Sequence, residues 1–236
     1  MENTVAEKSL TILDYPKKIG KRLEQFQLRP SYFLRSEKIR NDSFFKQRDM
    51  LLKQNYGYTA LHRHWSKLLT AGQSNTLPEL NTVKIIVIML DEKSLLETAR
   101  ELGISFFANQ IIPIILKKEV LTIKEKLGNA LYEKLFENYD NFKMLESVIN
   151  PLEWSVNEIL ESYEQVGWLA LQNIFSSSPS NLDKRFNLRL PSNLNLENLE
   201  KLNNKLNFSN KKIEAFLTTL FRKAENPWLL QLIEAH

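Results

Sequence analysis

The sequence predicts a mainly α fold, an irregular multi-helix globular domain, on three observations. Its 236 residues include only 6 glycines and 8 prolines, few turn-formers for a β-sandwich, which needs many tight connections. Apolar residues recur at spacings of three and four, which keeps them on one side of a 3.6-residue helix. Several of these stretches are bracketed by capping residues or by proline and glycine stops. With 43% hydrophobic and 25% charged residues, the composition is that of a chain able to bury a core.

Residues 1–22 are polar and weakly patterned, and Pro16-Lys17-Lys18 and Gly20 break any helix there. They read as a flexible or loosely docked arm, ahead of one domain over 23–236. Phe26 to Leu34 is apolar around Pro30, and Tyr32, Phe33 and Leu34 are placed to anchor that segment on the body. Ser43–Tyr56 and Ala60–Leu69 read as helices broken at Gly57. His62 and His64 are two residues apart and face away from each other on a helix. With no cysteine in the chain and no acidic helper at ligand spacing, a zinc site is not expected.

Leu77-Pro78-Glu79 looks like a helix start, with Pro at the first turn and Glu near the positive end of the dipole. Ile85 to Leu90 is the most apolar run in the chain. Periodicity alone does not separate a buried strand from a buried helix here. The start signal, together with the resemblance named below, favours helix. Asp91 caps a helix through Leu95, Leu96, Ala99 and Leu102, with Gly103 as its stop. Thr122 and Glu125 have the spacing of a capping box for a helix to about Phe136, with Leu127, Leu131, Leu135 and Phe136 as its inner stripe.

Pro151 reads as the start of a long helix with Trp154, Ile159, Leu160, Val166, Leu169, Ala170 and Ile174 inward. Ser176-Ser177-Ser178-Pro179 ends it, since proline lacks the amide proton and excludes the helical conformation for the residue before it. Phe186, Leu188 and Leu190 alternate with Asn187 and Arg189, the pattern of a short extended segment over 186–190 closed by Pro191. Ser192 to Asn207 suits a short leucine-bearing helix, Ser209 caps a helix with Ile213, Phe216, Leu217, Leu220 and Phe221 inward, and Asn226-Pro227 starts a last helix to Glu234.

The function classes are narrowed mostly by exclusion. Net charge is +4 with 32 basic and 28 acidic residues interspersed, a mixed solvated surface rather than the one-sided basic face of a nucleic-acid binder. No phosphate-binding glycine loop and no Gly-x-Ser-x-Gly elbow can be written, and the three histidines leave few general bases. No enzyme and no cofactor are expected. The longest apolar runs, Ile85–Leu90 and Ile111–Leu116, are far short of the about 18 residues of a spanning helix. A helix-turn-helix over residues 91–113 is the alternative, because Ala99, Gly103 and Ile104-Ser105 have its spacing. Its second helix would offer Phe106, Phe107, Ile111 and Ile112 where a DNA reader needs cations and amides, and Pro113 would break it. Lys184, Arg185 and Arg189 are the candidate binding surface, since guanidinium groups clamp carboxylates, with Phe186, Leu188 and Leu190 holding the segment down.

Three stretches, in order, carry a resemblance. Gly167 with Leu169-Ala170 leads to the Ser/Pro-rich turn and then to Lys184-Arg185-Phe186-Asn187-Leu188-Arg189-Leu190-Pro191. Near the start stands Phe26-Gln27-Leu28-Arg29-Pro30-Ser31-Tyr32-Phe33-Leu34, and between them lie Trp65, Leu77-Pro78 and the apolar run through Leu102-Gly103. This combination resembles the K component of the type III secretion sorting platform, the YscK/OrgA/MxiK-like family. The resemblance implies a mainly helical, non-enzymatic adaptor without a cofactor, in the bacterial cytoplasm and held at the inner membrane through partners. Those partners would be the cytoplasmic domain of the inner-membrane ring protein (the D component) and the pod built by the Q component, which meets the L component and the ATPase. Tyr32, Lys184, Arg185, Arg189 and Pro191 are the partner-binding residues it points to.

Overall fold

The computed structural model describes residues 20–21, 80–137, 145, 154–176, 182–187, 189–191, 194, 206 and 208–223, with the backbone alone at 182–184. Of these residues 80% are helical and none lies in a strand, so the fold is mainly α. The chain divides into two compact units, Met1–Met89 with Phe175–Ser192 and Leu90–Ile174 with Asn193–His236. The expected elements over 26–34, 43–56, 60–69, 77–79 and 228–234 lie outside the described residues; the long helix expected to start at Pro151 starts later, because 154 and 155 are not helical. Of the leucine-bearing helix expected over 192–207 only 194 and 206 are described, neither helical.

In the first unit, Gly20 and Lys21 are helical and Gly20 is buried, so the glycine does not break the chain where the sequence suggested. Helix α1 spans Thr82–Met89. Its start is fixed by Asn81, whose Oδ1 accepts from the Lys84 amide at 3.0 Å, an N-cap geometry. Val83 through Ile88 are all buried, Lys84 among them, so α1 is covered on every side, and all but one of these six residues are apolar. The run 85–90 is thus helical over Ile85–Met89. The expected extended segment at 186–190 is not formed. Leu182–Asn187 is a helix of the same unit, and the Arg189 amide donates to the Phe186 carbonyl at 2.8 Å in the turn that follows.

The second unit is built on two long helices. Helix α2, Glu92–Ser105, starts at Asp91, whose Oδ1 accepts from the Ser94 amide at 2.7 Å. Gly103 does not stop it: the helix continues to Ser105, whose hydroxyl donates back to the Glu101 carbonyl. A one-turn helix α3, Ala108–Ile111, follows. Helices α4, Lys117–Leu127, and α5, Asn129–Glu137, replace the single helix expected to Phe136. Gly128 separates them with φ +81° and ψ 152°, a backbone region essentially reserved for glycine. Thr122 is inside α4 and donates to the Lys118 carbonyl at 3.1 Å, so it caps nothing. Leu127 and Leu135 are buried as expected, but Leu131 is half-buried and Phe136 exposed.

Helix α6 spans Val156–Ser176, its last two residues counted with the first unit; the Ser/Pro stretch expected to end it, beyond 176, lies outside the described residues. Its true start is a reciprocal capping box. The Ser155 amide and hydroxyl donate to Glu158 Oε2 at 2.8 and 2.6 Å, and the Glu158 amide donates to Ser155 Oγ at 3.3 Å. Ser155→Ala should lower unfolding free energy by about 1 kcal/mol, and Glu158→Ala by a similar amount through the same box. Chemical denaturation of the two single variants and the double variant checks this, with a double-variant loss below the sum of the singles expected.

The crossing of α2 and α6 is fixed by two glycines. A Cβ at Gly103 would overlap the Tyr163 carbonyl oxygen and stand 2.9 Å from the Gly167 amide; one at Gly167 would overlap the Ala99 carbonyl oxygen. Glycines admit a backbone-to-backbone approach that any side chain would block. Around this crossing Leu95, Leu102, Ile159, Val166 and Ile174 are buried. Two ion pairs flank it: Arg100 Nε donates to Glu164 Oε2 at 2.8 Å, and Lys134 Nζ to the buried Glu101 at 2.7 Å. The Glu164 hydrogen bond holds Arg100 above the ordinary arginine pKa, and burial raises that of Tyr163. Helix α7 is Leu182–Asn187, in the first unit, and the last described helix, α8, is Asn210–Lys223. Ile213, Phe216, Leu217 and Phe221 form the buried stripe of α8, while Leu220 is half-buried.

Candidate functional site

The residues expected to form a basic binding surface are not at a surface. Arg185 keeps 7% of its exposure and Arg189 5%, and Pro191 is buried as well. The side chain of Lys184 and the whole of Tyr32 lie outside the described residues. Helix α7 supplies the reason. It puts Phe186, fully buried, against Phe175 with ring centroids 4.7 Å apart and planes nearly parallel. The turn after it then directs Arg189 at the end of α1, where Nη1 donates to the carbonyls of Val87 and Ile88 at 2.9 and 3.1 Å. These belong to the last turn of α1, whose carbonyls have no partner within the helix. A cation there also meets the negative end of the helix dipole. Arg189 is therefore a structural clamp inside the first unit.

Arg185 stands four residues before it and has no such partners. Its Nε and Nη1 are buried and make no hydrogen bond to a described residue. Desolvation holds its pKa below the ordinary arginine value, yet a guanidinium stays charged at any pH at which the protein is folded.

Among the described residues, the large exposed apolar side chains lie in the second unit. Ile115 is 87% and Leu116 63% exposed, Leu121 and Phe136 also face solvent, and Lys117 and Lys118 follow Leu116 directly. The sequence pattern did not separate Ile115 and Leu116 from core residues, because both end the apolar run Ile111–Leu116, and it placed Phe136 on an inner stripe.

The helix-turn-helix expectation meets a specific obstacle. Its second helix, α3, is one turn of four residues, with Ala108 and Ile111 buried and Asn109 and Gln110 half-buried. A reading helix must lay several exposed side chains along a groove. Phe106 and Phe107 are themselves core, packed on Phe208 and Trp154 at centroid distances of 5.5 and 5.1 Å. Among the described residues no group of three or more His, Asp or Glu side chains is placed to hold a metal ion. No described helix is long and apolar enough to cross a membrane.

Comparison of the chain with protein-family models, with curated proteins and with solved structures returned no match.

Proposed function

We propose that the chain is a non-enzymatic adaptor of the kind that the resemblance implies, a K component of a type III secretion sorting platform. In that role it joins the inner-membrane ring protein to the Q-component pods at the cytoplasmic face of the inner membrane, and needs no cofactor. The observation that carries the reading is the state of the strongest matching stretch. Phe186, Arg189 and Pro191 of Lys184–Pro191 are buried, and Arg189 ties the stretch to α1. Residues that a fold cannot spare are those that a family signature would retain. Partner contacts then fall to exposed apolar side chains, of which Ile115 and Leu116 are the most accessible; such groups anchor interfaces once water is excluded around them.

Affinity capture of the tagged chain from its own source tests this. Ring and Q-component proteins should be identified by mass spectrometry in the wild-type capture. Ile115→Ser/Leu116→Ser should reduce their recovery at least tenfold with an unchanged circular dichroism spectrum. Absence of every secretion component from the wild-type capture would remove the reading.

A further inference from the structure

We propose that Arg185 is the recognition group of an oxyanion-binding site in the first unit, taking a carboxylate or a phosphate onto a buried guanidinium whose Nε and Nη1 have no acceptor. The comparison with Arg189 is internal to one segment. Arg185 and Arg189 are both more than nine-tenths buried, and both belong to the first unit. Arg189 shows how a buried guanidinium is satisfied by this fold: it reaches two helix carbonyls. Arg185 has the burial without the acceptors.

Unmade hydrogen bonds of a charged, buried group are among the most costly features a fold can carry. Loss of the proton is not a way out for a guanidinium. A bound acceptor with negative charge satisfies the donors and the charge together, which a buried water does not. Guanidinium groups select oxygen anions, carboxylate and phosphate above all, because their N–H vectors match those oxygens. The setting strengthens such a bond: the next residue, Phe186, is fully buried and stacked on Phe175, and an ion pair in an apolar, water-poor surround is screened little. The site is argued from this chain's own residues and does not depend on the adaptor reading.

The test is thermal unfolding of the full chain at constant ionic strength in sodium chloride, sodium acetate or sodium phosphate. Wild type should gain about 3 °C over chloride at a tenfold excess of anion over its Kd. A gain in acetate alone assigns a carboxylate, and a gain in phosphate alone a phosphoryl group. Arg185→Met should lose the gain entirely while unfolding, in chloride, no lower than wild type, because it removes an uncompensated charge. Equal midpoints of the wild type in all three salts, or a gain retained by Arg185→Met, would overturn the site. If Arg185→Met does not fold, the Arg185 Nε–H resonance of the wild-type protein decides: a saturable shift on titration with phosphate or acetate supports the site, and an unmoved resonance ends it.

Discussion

Gly167→Ala should destabilise the protein by about 3–5 kcal/mol, at the exceptional end for one added methyl group. The sign is the informative part. Alanine in place of glycine inside a helix ordinarily stabilises by about 1 kcal/mol, through helix propensity and a less disordered unfolded chain. At Gly167 the new Cβ would overlap the backbone oxygen of Ala99, and at Gly103 that of Tyr163. Backbone cannot rotate away as a side chain can, so α2 and α6 must separate, and the buried contacts around the crossing loosen together. Urea denaturation of Gly167→Ala and Gly103→Ala checks this. The double variant should lose less than the sum of the two, since one separation of the helices relieves both overlaps. A neutral or stabilising effect of either single substitution would show that the crossing is not as close as described.

Arg189→Met should cost about 2–4 kcal/mol, because it strands the carbonyls of Val87 and Ile88 in a buried environment, each worth about 1–3 kcal/mol when left unmade. Methionine keeps most of the apolar stem, so the loss reports the hydrogen bonds and not the packing. Arg189→Lys should recover only part of it, as one ammonium on a flexible stem does not reproduce the guanidinium placement. Hydrogen exchange offers a local readout: the amides of α1 should lose protection in Arg189→Met before those of α2. Equal stability of Arg189→Met and wild type would mean that the carbonyls find water instead.

What could be read in advance was whatever is decided locally. Asp91 acts on its own neighbours, and the helix start it fixes was legible. Ser155-Val156-Asn157-Glu158 has the same legibility as a capping box and was passed over in favour of Pro151, whereas Thr122 and Glu125 have that spacing inside a helix, where the box has no free amides to satisfy. Gly103 carries the local mark of a helix end, but its absent side chain serves another helix sixty residues away in sequence, as its approach to Tyr163 shows. Three alternating apolar residues at 186, 188 and 190 fit a strand, yet 186 and 190 are also four apart and fit a helical turn equally well. The arginines were assigned to a surface because cations usually are solvated. Only the path of the chain reveals that one of them closes a helix end and that the other is left without an acceptor.

The clamp between Arg189 and α1 also sets a schedule for the ribosome. Its hydrogen bonds join residues 102 and 101 positions apart. At a synthesis rate of about 5–20 residues per second, the nascent chain carries α1 for about 5–20 s before Arg189 is even polymerised. Throughout that interval Val83-Lys84-Ile85-Ile86-Val87-Ile88 has neither its clamp nor the 175–192 segment of its unit. A β-branched, nearly uncharged hexapeptide of this kind is a strong template for intermolecular strand pairing. Slowing translation downstream of Met89 should therefore favour inclusion bodies over native protein.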